Sequence, residues 1–600
     1  MRRMFWEGDI VNMNRQRILF SLIAGLSLMS VTVCLADEVY EVIVDQGVAK
    51  MRDGVVLRAD NYRPDAGGKF PVLLNRTPYG KWKEVPFGLR AAAQGYVVIS
   101  QDIRGRLTSD GEWYPFKHEI EDGYDSVEWA ASLPYSNGKV GMLGGSYGGA
   151  LQLLAALAKP PHLAGLFSWV TASNYHEGWV YQGGAFEQWL NESLTSSYAM
   201  DTLQRRGEAN VWQRVRKLPL ASYPLFGTGE EGDTTETLQN LAPYFLDWLA
   251  HPNYDDYWKQ VSIEEHFSQI TVPIFHIGGW YDVFLGGTLR NYVGIKAHGG
   301  SEAARRGQRL IVIVGGHIRT GRRIGEVDFG PDSVINEDDL ALRWYDYLLK
   351  GMKNGLESEK PVKLFVMGKN VWREEDDWPL ARARNTRFYL HSLGAANSLS
   401  GDGTLSTSLP SNEHADQYIY DPADPVPTHG GPVCCDRVHL PGGAADQRSI
   451  EARPDALVYS TEPFQKDFEV TGPVSVELYA SSSGVDTDFT GKLVDVWPNG
   501  PAQNLTDGIL RARYRNSPER VEFMNPGKTY KLTIDLWATS NVFLKGHRLR
   551  LEISSSNFPR FDRNLNTGQD VGQGTRWVKA TNTILHDREN PSAVVLHVVP

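Results

Sequence analysis

The chain has 600 residues, of which 41% are hydrophobic and 22% are charged, a composition that excludes a wholly disordered protein and allows several folded domains. Its 61 basic and 72 acidic side chains give a net charge of −11, which argues against nucleic acid or an anionic membrane surface as the partner. The three cysteines, Cys34, Cys434 and Cys435, are too few for a disulfide framework or a zinc cluster.

The N-terminus has the pattern of a secretory signal peptide. Two arginines precede the apolar run 18–33, and Cys34-Leu35-Ala36 then places small residues at both positions that specify cleavage. The run is shorter than the roughly 20 residues that a membrane helix needs. We therefore expect residues 1–36 to be removed near Ala36 and the mature chain to be secreted or periplasmic, without a membrane partner. One alternative is an uncleaved anchor helix, and a weaker one is a lipoprotein signal at Cys34, since Val33 is bulkier than lipidation signals prefer. Outside the cytoplasm Cys434 and Cys435 either close a strained ring or stay as two thiols.

From residue 40 onward, strand-like apolar runs alternate with stretches of helical periodicity. The predicted strands are 40–50, 55–60, 70–74, 96–100, 140–143 and 166–170. The predicted helices are 89–94, 121–133 and 150–158. Continuous apolar strands that alternate with helices indicate a mostly parallel sheet that is covered on both faces.

The alternation stops at residue 174 and resumes near residue 266. Residues 174–265 contain no strand-like run, and helical stretches at 185–194 and 237–249 predict an inserted helical cap. The α/β pattern then returns with strands at 271–277 and 308–314 and helices at 285–297 and 338–350. We expect one α/β domain made of residues 37–173 and 266–383, interrupted by the cap.

Residues 384–600 have a different character. Short alternating runs recur there between turns rich in glycine, proline and aspartate, at 387–390, 474–479, 488–496, 528–536 and 548–553. Such a pattern predicts an all-β domain, a sandwich or a jelly roll.

One motif carries recognisable chemistry. Gly144-Gly145-Ser146-Tyr147-Gly148 lies between a predicted strand and a predicted helix. In that context the Gly-x-Ser-x-Gly pattern is typical of a sharp turn that presents a nucleophilic serine above the carboxyl ends of the strands. We therefore predict that Ser146 is the nucleophile of an α/β-hydrolase fold, a doubly wound, mostly parallel sheet.

A serine hydroxyl needs a base to take its proton, and on this fold an acid and then a histidine follow the serine along the chain. Asp282 is the acid at the end of the predicted strand 271–277. His317 lies in the loop after the next strand, 308–314. We predict Ser146, Asp282 and His317 as the catalytic triad, with a helix-capping role as the alternative for Asp282.

With these residues assigned, the chain resembles the bacterial cocaine esterase family (CocE/NonD hydrolases), which is related to X-Pro dipeptidyl-peptidases and α-amino acid ester hydrolases. The resemblance covers nearly the whole mature chain. Its motifs are Met51-Arg52-Asp53-Gly54-Val55, Arg76-Thr77-Pro78-Tyr79-Gly80-Lys81, Gln101-Asp102-Ile103-Arg104-Gly105, Gly278-Gly279-Trp280-Tyr281-Asp282, Tyr420-Asp421-Pro422-Ala423-Asp424-Pro425-Val426-Pro427, Ala538-Thr539-Ser540-Asn541-Val542-Phe543 and Ser554-Ser555-Ser556-Asn557-Phe558-Pro559.

The resemblance implies an α/β-hydrolase domain with a helical cap, a C-terminal jelly roll and serine-dependent acyl hydrolysis. It also implies that the Tyr79 hydroxyl and the Tyr147 backbone N–H form the oxyanion hole. We further expect Trp179 and Trp280 to line the substrate pocket. The chain departs from the family pattern at Val314-Gly315-Gly316-His317, where a Gly-Pro-Trp-x-His sequence is usual, so one wall of the pocket is expected to differ.

These observations predict a serine hydrolase that cleaves carboxylic esters through an acyl-enzyme, without a cofactor or a catalytic metal. One alternative is an amidase, acylase or dipeptidyl-peptidase acting on acyl amides such as β-lactam side chains. Recognition of an α-amino group would require carboxylates in the pocket, but we interpret the cap residues Glu177, Glu187 and Glu192 as helix-surface charges. The second alternative is a carbohydrate-binding jelly roll with an inert hydrolase domain. A homo-oligomer stays open.

Overall fold

The computed structural model describes residues 39–205, 241–317, 321–435 and 438–600. The predicted signal peptide, residues 1–36, lies outside these ranges. Within them no helix combines the length and the apolar character that a membrane crossing requires.

Within the described residues, fourteen strands precede residue 380. They are β1 (Val42–Lys50), β2 (Val56–Pro64), β3 (Phe70–Thr77), β4 (Val97–Asp102), β5 (Ser136–Gly145), β6 (Leu163–Trp169), β7 (Tyr181–Gln182), β8 (Ala185–Phe186), β9 (Ile274–Tyr281), β10 (Arg309–Gly316), β11 (Arg323–Ile324), β12 (Val327–Asp328), β13 (Val362–Val366) and β14 (Val371–Glu375). Ten of these strands form one sheet in the order β1-β2-β4-β3-β5-β6-β9-β10-β13-β14. Its seven central strands, from β4 to β13, are parallel, and antiparallel pairs lie at both edges. The predicted mostly parallel sheet is confirmed.

Helices cover both faces of this sheet. The α-helices of the described chain are α1 (Val85–Ala93), α2 (Glu119–Ser132), α3 (Tyr147–Leu157), α4 (Gln188–Arg205), α5 (Pro243–Ala250), α6 (Asp256–Lys259), α7 (Leu285–His298), α8 (Glu302–Arg306), α9 (Glu337–Leu348) and α10 (Arg448–Glu451). Apolar side chains of α2 and α3 pack in one core cluster, and those of α1 and α9 pack in another on different strand residues. This two-sided covering explains why the parallel strands are buried along almost their whole length.

The cap region contains α4, α5 and α6, as the helical pattern predicts. The prediction that it has no strand is wrong in one place, since β7 and β8 pair as a two-residue hairpin around Gly183 and Gly184. Both glycines have positive φ, and a side chain at Gly183 would collide with the backbone carbonyl of Ile509 in the C-terminal region. The hairpin is therefore defined by close tertiary packing rather than by a strand-like sequence. The first part of the predicted helix 237–249 lies outside the described residues, and the described helix begins at Pro243.

Apart from the short helix α10, the regular elements of the described C-terminal region are almost all β-strands, as predicted for a jelly roll. Its strands are β15 (Arg384–His391), β16 (Thr404–Ser406), β17 (Asp416–Tyr420), β18 (Leu457–Ser460), β19 (Phe468–Ser482), β20 (Asp488–Val496), β21 (Ala502–Arg511), β22 (Tyr530–Phe543), β23 (Arg548–Ser554), β24 (Ala580–Leu585) and β25 (Ala593–Val599). They hydrogen-bond in the order β17-β24-β19-β25-β15-β16-β18-β23-β20-β21, and β22 pairs with β19. The region contacts the α/β region directly, because the Tyr281 hydroxyl donates to the Asn504 carbonyl at 2.9 Å.

The strand order places four candidate residues together at the carboxyl ends of the parallel strands. Tyr79 and Ser146 follow the carboxyl ends of β3 and β5, which are neighbours. Asp282 and His317 follow the carboxyl ends of β9 and β10, which are also neighbours. β3 has β4 as its neighbour on one side and β5 on the other, so the strand order changes direction there. The carboxyl end of such a topological switch point is where open α/β sheets bind ligands.

Candidate active site

Ser146 lies in a strained turn between β5 and α3. Its φ of 59° and ψ of −124° are rare for a residue with a side chain. The neighbouring glycine is required by close packing, because a Cβ atom at Gly145 would overlap the indole nitrogen of Trp169. The Ser146 N–H donates to the Trp169 carbonyl at 3.1 Å, which holds the turn in place. Such strain in a turn between a strand and a helix is typical of an exposed nucleophile.

His317 and Asp282 complete a hydrogen-bonded line with Ser146. The Nε2 atom of His317 lies 2.8 Å from the Ser146 Oγ, and Nδ1 lies 2.7 Å from Oδ1 of Asp282. The side chains of Asp282 and His317 are 0% and 4% exposed. The Asp282 side chain contacts His317 and does not cap α7, whose N-cap is Phe284 without a side-chain bond. The geometry allows His317 to accept the serine proton while Asp282 orients the ring.

Tyr79 and the Tyr147 N–H, the predicted oxyanion donors, meet beside the serine. The Tyr79 hydroxyl lies 3.1 Å from the Ser146 Oγ and accepts a hydrogen bond from the Tyr147 N–H at 3.2 Å. Burial raises the pKa of Tyr79 above its usual value, and the bonds to Ser146 and Tyr147 act in the opposite direction. The phenol therefore stays protonated at neutral pH, so it retains a hydrogen to donate.

The backbone of Tyr147 is positioned by its own buried side chain. Its hydroxyl accepts the Phe116 N–H at 2.8 Å and donates to Oε1 of Glu119 at 3.3 Å. Glu119 also accepts from Arg76 at 3.0 Å. Burial raises the pKa of Glu119 to about 7, and the charge of Arg76 opposes that rise. This buried set links the start of α3 to β3 and α2, and so fixes where the Tyr147 N–H lies.

Aromatic rings surround the histidine. The ring of Phe284 meets that of His317 edge to face at 5.0 Å, and Trp179 stacks on Phe284 at 4.3 Å. The prediction for Trp179 is thus compatible with the structure. Phe284 was not predicted, although its position two residues after Asp282 is a usable signal. Trp280 lies in a different core cluster, where its indole donates to the Phe365 carbonyl at 2.8 Å. We therefore leave Trp280 out of the pocket.

A loop from the C-terminal region also reaches the site. Gly431 and Gly443 exchange two backbone hydrogen bonds, of 2.8 and 2.9 Å, at the base of this loop. Within this loop Cys434 and Cys435 are joined as a disulfide. The sequence left open whether they form a disulfide or stay as two thiols, and the structure has the disulfide. Cys434 is buried in the cluster that contains Tyr147, Trp179 and Phe284, whereas Cys435 is exposed. No sequence pattern indicated this approach.

The three cap glutamates are not the surface charges that we expected. Glu187 and Glu192 are 1% and 2% exposed. Glu187 pairs with buried Arg560 at 3.3 Å, and Glu177 accepts the Gly183 N–H at 3.0 Å. Burial raises the pKa of Glu177 and of Glu187 to about 7 and that of Glu192 to about 9. The interpretation as surface charges was wrong because the C-terminal region packs against this part of the cap, as the Glu187–Arg560 pair shows. The hydrogen bonds and ion pairs described for the three glutamates do not include Ser146, Asp282 or His317.

Two family models match the chain. Residues 53–319 match the X-Pro dipeptidyl-peptidase (S15 family) model, and residues 354–595 match the X-Pro dipeptidyl-peptidase C-terminal non-catalytic domain. The chain is 38% identical over 578 residues to cocaine esterase from Rhodococcus sp. (strain MB1 Bresler), and the alignment covers 92% of this chain and 97% of that protein.

Solved structures support the fold. An aminopeptidase from the archaeon Thaumarchaeota archaeon superimposes with a TM-score of 0.77 at 24% identity, covering 96% of this chain and 99% of that one. An α-amino acid ester hydrolase superimposes with a TM-score of 0.77 at 23% identity, covering 96% of this chain and all (100%) of that one. At these identities the likeness establishes the α/β region with its C-terminal β region, and not the substrate.

Proposed function

We propose that this chain, which belongs to the cocaine esterase family of hydrolases (CocE/NonD), cleaves carboxylic esters through an acyl-enzyme formed on Ser146. The observation that carries the proposal is the continuous hydrogen-bonded line from Ser146 Oγ through the His317 ring to Asp282, at 2.8 and 2.7 Å. The Rhodococcus relative, named as a cocaine esterase, supports hydrolysis of an ester.

In the proposed first half-reaction, Ser146 Oγ attacks the ester carbonyl carbon and His317 Nε2 takes the serine proton. Asp282 stabilises the imidazolium that forms, because its buried carboxylate accepts the hydrogen on Nδ1. His317 then gives the proton to the departing alcohol. In the second half-reaction a water molecule attacks the acyl group, with His317 again acting first as base and then as acid.

The proposed oxyanion hole is the pair formed by the Tyr79 hydroxyl and the Tyr147 N–H. In the free protein these groups bond to each other at 3.2 Å, and the hydroxyl lies 3.1 Å from the serine oxygen. We propose that the developing oxyanion lies beside both groups, where it accepts from the Tyr147 N–H and from the Tyr79 hydroxyl, which turns its hydrogen from the Ser146 Oγ to the oxyanion. Donors aimed at that point stabilise the transition state more than the ground state.

The walls of the site favour a substrate with a bulky apolar group. Phe284 contacts the His317 ring, Trp179 stacks on Phe284, and Cys434 belongs to the same buried cluster. Aromatic rings at this distance bury apolar surface well but offer no countercharge to a free α-amino group. We therefore place ester cleavage first and the amidase or peptidase alternative second.

We also propose that the chain is exported after cleavage near Ala36, a proposal supported by the Cys434–Cys435 disulfide.

The test is a panel of p-nitrophenyl esters with acyl groups of increasing size, measured beside p-nitroanilides with the same acyl groups. We expect hydrolysis of the esters, with the highest kcat/KM for aromatic acyl groups, and slower cleavage of the matched anilides. Ser146→Ala, prepared in parallel, is the control for contaminating esterases.

Two results would refute the proposal. Faster cleavage of anilides than of matched esters would favour the amidase alternative. No hydrolysis of either series, together with no labelling by a fluorophosphonate probe, would favour a binding protein with an inert hydrolase domain.

A further inference from the structure

Three metal-ligating side chains meet beside the proposed catalytic base. Among the described residues, ligand atoms of His317, Cys434 and Cys435 all lie within 4.8 Å of one another. The two sulfur atoms come from the loop of the C-terminal region, and the histidine comes from the end of β10. In the disulfide state the sulfurs have no charge to offer a cation, so the cluster can bind a metal only after the bond between them is broken.

The histidine is already oriented as a metal ligand. Its Nδ1 is bonded to the Asp282 carboxylate at 2.7 Å, which leaves Nε2 as the nitrogen with a lone pair to share. A carboxylate bonded to the second nitrogen is the usual support of a metal-bound histidine. Two thiolates and one imidazole form a ligand set that Zn²⁺ adopts in proteins, with a fourth position left for water.

The pair is also open to reduction. Cys435 is exposed while Cys434 is buried, so a thiolate from solution can reach one sulfur of the bond. Attack by an external dithiol forms a mixed disulfide, and closure of that reagent to its own cyclic disulfide releases both protein thiols. The exchange transfers two electrons from the dithiol to the protein, and both protons of the dithiol end on Cys434 and Cys435.

We propose that the reduced Cys434–Cys435 pair and His317 form a site for a thiophilic divalent cation such as Zn²⁺, and that an occupied site is catalytically silent. Binding forms two metal–sulfur bonds and one bond to Nε2, and it releases the two thiol protons. The metal then holds the lone pair that would accept the Ser146 proton, and it lies where the substrate carbonyl must come. The silencing, unlike the binding, rests on the proposed role of His317 as base.

The experiment uses the full chain and Cd²⁺ as the probe, because cadmium thiolates absorb in the ultraviolet. One sample stays oxidised, and the other is reduced with a dithiol that is removed anaerobically by desalting. Thiol titration should show two more thiols in the reduced sample. Each sample is titrated with Cd²⁺, and bound metal, the thiolate absorption band and p-nitrophenyl ester hydrolysis are recorded.

We expect the reduced protein to bind one Cd²⁺ per chain and to show the thiolate absorption band. Its rate of ester hydrolysis should fall by more than about tenfold and should recover when EDTA removes the metal. The oxidised protein should show neither effect. Reduced Cys435→Ala should lose the band, and His317→Ala should keep it with affinity weakened by about tenfold or more. His298→Ala, which removes an exposed histidine outside the cluster, should behave as the parent.

Equal inhibition of the oxidised and reduced proteins, or an unchanged band in a folded Cys435→Ala variant, would overturn the proposal. Cd²⁺ binding to the reduced protein without loss of activity would overturn the part that assigns Nε2 to the metal. Metal stoichiometry and the thiolate band do not depend on catalysis. Failure of the proposed esterase function would therefore be seen separately, as an absence of hydrolysis before any Cd²⁺ is added.

Discussion

Replacing Tyr79 with phenylalanine tests the oxyanion hole, because it removes one hydroxyl and keeps the ring. That hydroxyl lies 3.1 Å from the Ser146 Oγ and 3.2 Å from the Tyr147 nitrogen. If it is one of two donors to the oxyanion, its loss should lower kcat by ~10²–10³, equivalent to roughly 3–4 kcal/mol of transition-state stabilisation. KM should change little, since the donor is aimed at charge that develops only during attack.

The same substitution leaves the buried Tyr147 N–H without its partner, which should also lower the free energy of unfolding by about 1–3 kcal/mol. Steady-state kinetics with a p-nitrophenyl ester and chemical denaturation of the same preparation separate the two effects. Tyr175→Phe is the matched control. Tyr175 is also a buried tyrosine, but its hydroxyl has no hydrogen-bond partner among the described residues, so we expect kcat to stay within about twofold of the parent.

The reasoning fails if Tyr79→Phe keeps the parental kcat while its stability falls. That result would make the hydroxyl a tether for the loop after β3, and the oxyanion would then have to be held by backbone donors alone. An equal fall of kcat in Tyr79→Phe and Tyr175→Phe would instead indicate general damage to the aromatic cluster.

Three further predictions concern the nucleophile, the orienting acid and a buried cap residue. Ser146→Ala should lower kcat by on the order of 10⁶ with the fold retained, as measured by ester hydrolysis and circular dichroism, and near-parental turnover would exclude Ser146 as the nucleophile. Asp282→Asn should lower kcat by on the order of 10⁴, because an amide does not hold the hydrogen of His317 on Nδ1 as the carboxylate does. A loss of kcat below tenfold would assign the orientation of His317 to another group. Burial raises the pKa of Glu192 from its usual 4.5 to about 9. Between these two pH values the folded protein keeps the Glu192 proton and the unfolded protein has lost it. The free energy of unfolding should therefore fall as pH rises through this window, by up to about 1.4 kcal/mol per pH unit. Glu192→Gln should remove that loss, so the variant should exceed the parent in free energy of unfolding at pH 8 and match it near pH 4, and a difference that is the same at both pH values would contradict this reasoning.

The α/β region was predictable because its elements are defined locally. Parallel strands that are buried on both faces give continuous apolar runs, and β5, β9 and β10 appear in the sequence within a few residues of their observed bounds. The order of the chain on this fold then places Ser146, Asp282 and His317 at the ends of those strands. The structure brings the three side chains together, and their catalytic role stays a prediction.

The features that were missed depend on long-range packing. The burial of Glu187 comes from Arg560, which lies in the C-terminal region and pairs with it across 373 positions. The approach of Cys434 to His317 likewise requires the loop based on Gly431 and Gly443. Trp280 was expected in the pocket, yet its indole packs toward Trp378 and donates to the Phe365 carbonyl.

The central claim is that the ester is cleaved through an acyl group held on Ser146, and rapid mixing with a p-nitrophenyl ester tests it most directly. The released p-nitrophenolate is followed in the first turnover, and the reaction is quenched with acid for intact-mass and peptide-mass measurement. The account predicts a burst that approaches one p-nitrophenolate per chain when deacylation is slow, and a single acyl adduct on the peptide that contains Ser146, absent from Ser146→Ala. Sustained hydrolysis with no adduct for any ester in the panel, or an adduct on a different residue that persists in Ser146→Ala, would contradict it.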